Sequence, residues 1–306
     1  MDHDVVCAID WHGVHAWRSL PARNHYCPLV YLNFRVYSSG TNDDWYDSME
    51  RRAVQDAARV ICLSETDAAS LRRYNPTKLD ILLPPLRGDM AELGDVDLSE
   101  HLPIPLPLAT THGSLRRRCL VTCVVRQSPE KTVRRFLTFV KASKSLLDEM
   151  GLIPLLAGAA ADAAYAQSIK DELLDMAPNA LIVDSFLSPV ALAALFQRTH
   201  FNFHPCAYDA YGMTIIEAAA MGAVSVVSGQ HVGATAICGA GASIPVSMPR
   251  HDERALEGIV EIGDLVQNEV QMKELAAEAK KRALAWDEAA YGSALLGILN
   301  EITQPR

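Results

Sequence analysis

The sequence predicts an α/β protein built on two doubly wound parallel sheets. Three features lead there. Residues 119–125 and 223–228 are short, mostly apolar runs of the kind buried in parallel sheets, and 200–204 reads as a further strand. The strand at 200–204 is joined to an alanine-rich helix through a turn carrying Asp209 and Gly212. Residues 87–114 are rich in proline, glycine and aspartate and divide this alternation from a shorter one before it. Within them, Leu102, Pro103, Ile104, Pro105, Leu106 and Pro107 suit neither a helix nor a central strand.

In chain order, residues 1 to about 88 alternate strands and helices, with Ser64 and Asp67 in the spacing of a capping box. The linker follows, so the domain division is 1–114 and 115–306. The strand at 119–125 enters Arg126, Gln127, Ser128, Pro129, Glu130 and Lys131. Proline after serine then starts a helix over 132–150, since proline is tolerated at the first helical position. Residues 253–302 are helical by the spacing of Leu256, Ile259 and Val260, then Leu275, Ala279 and Ala283.

Two constellations carry chemistry. Asp209 and Glu217, eight residues apart, bracket the start of the 213–222 helix. Gly212 lets a ligand approach the backbone N–H groups of Gly212, Met213 and Thr214, which no helical carbonyl satisfies, at the positive end of the helix dipole. Phosphate or a sugar leaving group suits such a place. Taken alone, Asp209 is equally a turn residue bonding its own backbone. Arg126 and Lys131 flank the other helix start and could converge on one anion; a solvated turn with two surface cations fits the same spacing.

At 306 residues the chain has room for two domains with their own cores, and 49% hydrophobic with 21% charged residues is ordinary for a globular protein. A net charge of −9 argues against nucleic acid as a partner. Arg116, Arg117 and Arg118 form a compact basic cluster, read as a solvated approach to the next strand rather than a membrane or phosphate patch. No apolar run nears the ~20 residues of a transmembrane helix, and the acidic amino terminus does not read as a signal peptide. Seven cysteines, odd in number and lying mostly in apolar runs, point to reduced thiols and a cytoplasmic location. The pairs His12 with His15 and His200 with His204 lack companions for a metal, so none is expected; His200 and His204 share one packed strand face.

Together the two constellations resemble the carboxy-terminal domain of retaining glycosyltransferases of family 4. Arg126, Ser128, Pro129, Glu130 and Lys131 match one motif of that family. Pro205, Asp209, Tyr211, Gly212, Glu217, Ala218, Ala220 and Gly222 match the other. Residues 4–13 resemble the family's strand ending in a histidine, 28–33, 58–64 and 79–85 its following strands, 152–158 and 180–187 two strands of its carboxy-terminal domain, and 229–236 its glycine-rich loop. The resemblance implies the GT-B fold, two Rossmann-like domains, with the first incomplete because the chain begins in mid-domain. It also implies transfer of a hexose from a nucleotide-diphosphate sugar to an acceptor, with retention, without metal and without any cofactor beyond the donor.

The roles the resemblance assigns are specific. Arg126 and Lys131 hold the diphosphate, aided by the backbone of Gly212, Met213 and Thr214. Asp209, one methylene shorter than the family's glutamate, meets donor-sugar hydroxyls, and Glu217 the ribose hydroxyls. Leu187 ends the strand leading to the base-binding loop. His12 meets the donor sugar or its leaving group, although a packed loop histidine fits the same pattern. Asn33 stands where many relatives carry a further histidine. The step at Trp286 and Asp287 resembles the point where the last helix crosses back to the first domain. Two other functions share the pattern: a subunit inactive alone, whose first domain is completed by a second copy or another chain, and a nucleotide-sugar epimerase of the same fold.

Overall fold

The computed structural model describes residues 5–21, 26–39, 43–94, 96–105, 118–229, 231–249 and 252–303. Asp4, Arg116, Arg117 and the 106–114 part of the linker lie outside the described residues. The chain divides into two compact units, residues 1–85 with 288–306, and residues 86–287.

In the first unit, β1 (Val6–Ile9), β2 (Leu29–Asn33), β3 (Arg59–Cys62) and β4 (Leu79–Ile81) form a parallel sheet in that order. Helices α1 (Asp10–Arg18), α2 (Asp44–Asp56) and α3 (Glu65–Arg72) connect them. Leu29, Tyr31, Val54, Val60, Cys62 and Leu71 are buried together as its core. Ser64 caps α3, its hydroxyl accepting from the Asp67 N–H at 3.1 Å. The final helix, here α12 (Glu288–Thr303), belongs to this unit. Its Glu301 accepts from Arg59 at 2.9 Å and from Lys78 at 2.6 Å.

The second unit starts at Leu86, whereas the sequence puts the division at 114/115. The physical reason is that the first part of the linker packs onto this unit. The Leu86 N–H donates to the Trp286 carbonyl at 3.0 Å, and α4 (Gly88–Glu92) buries Met90. The Gln197 amide also reaches the carbonyls of Leu93 and Val96.

Six parallel strands build the second sheet: β5 (Leu120–Val124), β6 (Ile153–Ala157), β7 (Leu181–Val183), β8 (Thr199–Phe203), β9 (Val224–Ser228) and β10 (Ser243–Val246), in the order β10-β9-β8-β5-β6-β7. All residues of β5, β6 and β9 are buried, which explains their mostly apolar runs, broken only by Thr122, Ser225 and Ser228. The helix expected over 132–150 is two, α5 (Arg134–Ala142) and α6 (Lys144–Met150), preceded by a 3-10 turn at Pro129–Lys131. Helices α7 (Ala163–Met176), α8 (Pro189–Gln197), α9 (Met213–Ala220), α10 (Ile259–Gln267) and α11 (Glu269–Ala285) complete the unit. Arg118, the described member of the basic cluster, donates to the carbonyls of Phe196, Thr199 and Met221, so it closes the ends of α8 and α9. No helix among the described residues is long and apolar enough to cross a membrane.

The strand order reverses between β5 and β8. In such sheets the loops leaving the carboxyl ends diverge there and leave a crevice for ligand.

Candidate functional site

The loops after β5 and β8 carry both sequence constellations, and the switch point brings them together. Lys131 Nζ lies 2.7 Å from Asp209 Oδ2, across 78 residues of chain. Around this ion pair the backbone is tightly specified. Thr132 has φ of +49°, a left-handed conformation that costs a β-branched residue strain. Its hydroxyl donates to the Pro205 carbonyl at 2.9 Å and accepts from Arg135 Nη1 at 2.6 Å. Arg135 is fully buried and also donates to the carbonyls of Pro205, Pro249, Asp252 and Ala255. It thereby ties the start of α5 to the loop after β8.

Asp209 is held in its turn by backbone bonds from its N–H to the His231 carbonyl and from the Gly233 N–H to its own carbonyl, at 3.0 and 3.2 Å. His204, which follows β8 and is 2% exposed, sets Nε2 3.4 Å from Asp209 Oδ2. Burial alone would raise the Asp209 carboxyl, but His204 and Lys131 outweigh it and hold the group well below the usual carboxylate range. Burial opposes the charged imidazole, yet Cys206 and Asp209 push His204 up to about 9. Lys131 is likewise raised, with Cys206 and Asp209 outweighing its burial. Donor atoms of His204, Cys206 and Asp209 lie within 4.8 Å of one another, a spacing that could hold a metal, but the Lys131 ammonium already sits on Asp209.

Gly212 precedes α9 with φ of +92°, and a Cβ there would come within 3.0 Å of Ile215 and 3.1 Å of Val232. Glycine is therefore required, and the first N–H groups of α9, those of Met213 and Thr214, stay open to a ligand. Glu217, one turn into α9, is buried. Burial, modified by Arg87 and Asp89, pushes its carboxyl up to about 7.

Other predicted site residues have their own partners and surroundings. Arg126 is exposed and pairs with Glu130, so the two cations are engaged separately, Arg126 by Glu130 and Lys131 by Asp209. Leu187 is half-buried in the loop between β7 and α8. His12 belongs to the first unit, exposed on α1, with its ring 3.7 Å from that of Trp11 and 5.8 Å from that of Tyr37. Asn33 is buried and donates to the Tyr31 hydroxyl and the Arg35 carbonyl at 2.8 and 2.9 Å. Thr132 and Arg135 escaped the sequence reading, and His204, assigned there to a packed strand face, lies one residue past β8 beside Asp209. The available signal was position: His204-Pro205 follows β8 directly, and Lys131-Thr132 lies in the loop that leaves β5, the two strands that flank the switch point.

No protein-family model matches the sequence, and no curated protein does so significantly. Solved structures match along nearly the whole chain. The chain is similar to a UDP-forming α,α-trehalose-phosphate synthase from Burkholderia xenovorans at a TM-score of 0.75 and 15% identity, covering 99% of this chain and 75% of that one. It is similar to Anabaena HepE in complex with UDP and glucose at 0.74 and 16%, covering 98% and 78%. A sucrose-phosphate synthase from Thermosynechococcus elongatus matches at 0.72 and 14%, covering 98% and 74%. The fold is therefore GT-B, with Rossmann-like parallel α/β domains.

Proposed function

We propose that this chain is a retaining, metal-independent hexosyltransferase of the family 4 type, with a nucleotide-diphosphate sugar as donor. The observation that carries the proposal is the meeting of Lys131 and Asp209 at the switch point, beside the open start of α9. Breaking the bond between the sugar's anomeric carbon and the diphosphate oxygen leaves charge on the diphosphate. Lys131 and the N–H groups of Met213 and Thr214 are suited to receive that charge. Arg126, exposed at the lip of the same loop, would add to it once released from Glu130. Asp209 offers acceptor oxygens to sugar hydroxyls, and Glu217 to the ribose hydroxyls. Uridine diphosphate is the first nucleotide to test, because HepE was solved with it and the trehalose-phosphate synthase is named for forming it.

The test is calorimetric titration with UDP, GDP and ADP sugars, followed by assay of nucleotide release and NMR of the product's anomeric proton. One nucleotide sugar should bind and be turned over with its anomeric configuration kept. Lys131→Ala should weaken that binding by about 1.5–3 kcal/mol, the loss of one charge-assisted bond. Absence of binding by all three nucleotide classes would refute the proposal.

A further inference from the structure

We propose that His204 is a positioning residue: the fixed counterion that keeps the Asp209 carboxylate in place when Lys131 turns toward the donor's diphosphate. This rests on the donor-site reading above. Asp209 faces two side chains able to carry positive charge, Lys131 at 2.7 Å and His204 at 3.4 Å. They differ in freedom. Lys131 is a flexible point charge on a four-carbon stem, able to follow a ligand that carries more negative charge than one carboxylate. His204 cannot follow.

Its ring is 2% exposed, and its backbone N–H donates to the Val226 carbonyl at 2.9 Å. The next residue, Pro205, has its carbonyl clamped by Thr132 and Arg135. Neither ring nitrogen has a hydrogen-bond partner among the described residues, so Asp209 is the group the imidazole is placed to serve. From 3.4 Å, a shift of about half an ångström makes a charge-assisted hydrogen bond. The titratable groups that act on the imidazole are Asp209 and Cys206 on its own loop, and Lys131 from the loop after β5 shares the same Asp209 oxygen. As pH rises through about 9 the imidazole loses its proton, and Asp209 then depends on Lys131 alone.

The experiment compares UDP with UDP-glucose on the full chain, the parent against His204→Gln and Lys131→Ala. Asp209 meets the sugar, so His204→Gln should weaken UDP-glucose about tenfold while leaving UDP within about twofold; tenfold corresponds to about 1.4 kcal/mol. The parent's preference for UDP-glucose should fall as pH passes 9, and the variant's should not. Lys131→Ala should weaken both ligands. A parent that binds neither ligand defeats the donor-site reading itself. A parent that binds both, with His204→Gln unchanged or weakened equally for each, overturns the role of His204 and leaves that reading standing. A readout that needs no nucleotide is histidine NMR: Asp209→Asn should lower the titration midpoint of His204 by at least about one pH unit, and an unmoved midpoint overturns the pairing.

Discussion

Glu217 shows how far the fold changes a single carboxyl group. An ordinary glutamate ionises near 4.5; burial inside α9 pushes this one up to about 7. Its folded-state value is thus above its unfolded value. The stability this lends is fully present below the unfolded value and is lost as pH rises through about 7, where an unmatched buried charge forms. Glu217→Gln should therefore raise the melting temperature at pH 8 by an amount worth up to about 3 kcal/mol, with no gain at pH 4, as read by calorimetry. The same variant should lose discrimination between ribose and 2′-deoxyribose nucleotides. A variant no more stable than the parent at pH 8 would show the carboxyl to be matched already. The position of Glu217 was legible from its spacing to Asp209 and Gly212. The Lys131–Asp209 pair was not, since no local pattern tells a lysine that its partner lies 78 residues on.

At the scale of elements, the strand ends do the positioning, and a few backbone positions set how closely they approach. Gly158 follows β6 with φ of +134°, and a Cβ there would lie 2.0 Å from the carbonyl oxygen of Val125, the residue that follows the neighbouring β5. Backbone cannot yield as a flexible side chain does. The Gly158 carbonyl also accepts from Gln127 at 2.7 Å, in the loop that carries Lys131. Gly158→Ala should cost about 3 kcal/mol or more, lowering the melting temperature by roughly 6–12 °C for a unit of this size, and should weaken nucleotide binding as well. A melting temperature within a degree of the parent's would mean that the two strand ends are free to part. The strands flanking the switch point were readable, because burial on both faces writes a mostly apolar run: 119–125 in the sequence against Leu120–Val124 in the structure. The break between α5 and α6 was not readable from periodicity, and neither was the left-handed turn at Thr132, a residue type that rarely adopts it.

For the whole molecule, alternation of strands and helices predicted the parallel α/β architecture, because each crossover between parallel strands needs a helix-length connection. Membership of the two units was harder to see. A chain that starts its second unit at Leu86 and returns to the first at Glu288 is held so by particular bonds, such as Leu86 to Trp286 and Arg59 to Glu301, that leave no trace in composition. The donor-site residues other than His12 all fall within residues 86–287. A nucleotide bound there stabilises whatever must open to release it, by about 2.7 kcal/mol at a hundred times its dissociation constant. Hydrogen exchange with and without UDP should then slow most at residues 126–132, 204–217 and 231–234, the loops leaving β5, β8 and β9 and the first turn of α9. The amides of β2 and β3, inside a separate sheet, should exchange at unchanged rates. Slowing confined to residues 5–85 would move the nucleotide site to the first unit and with it the roles given to Lys131, Asp209 and Glu217.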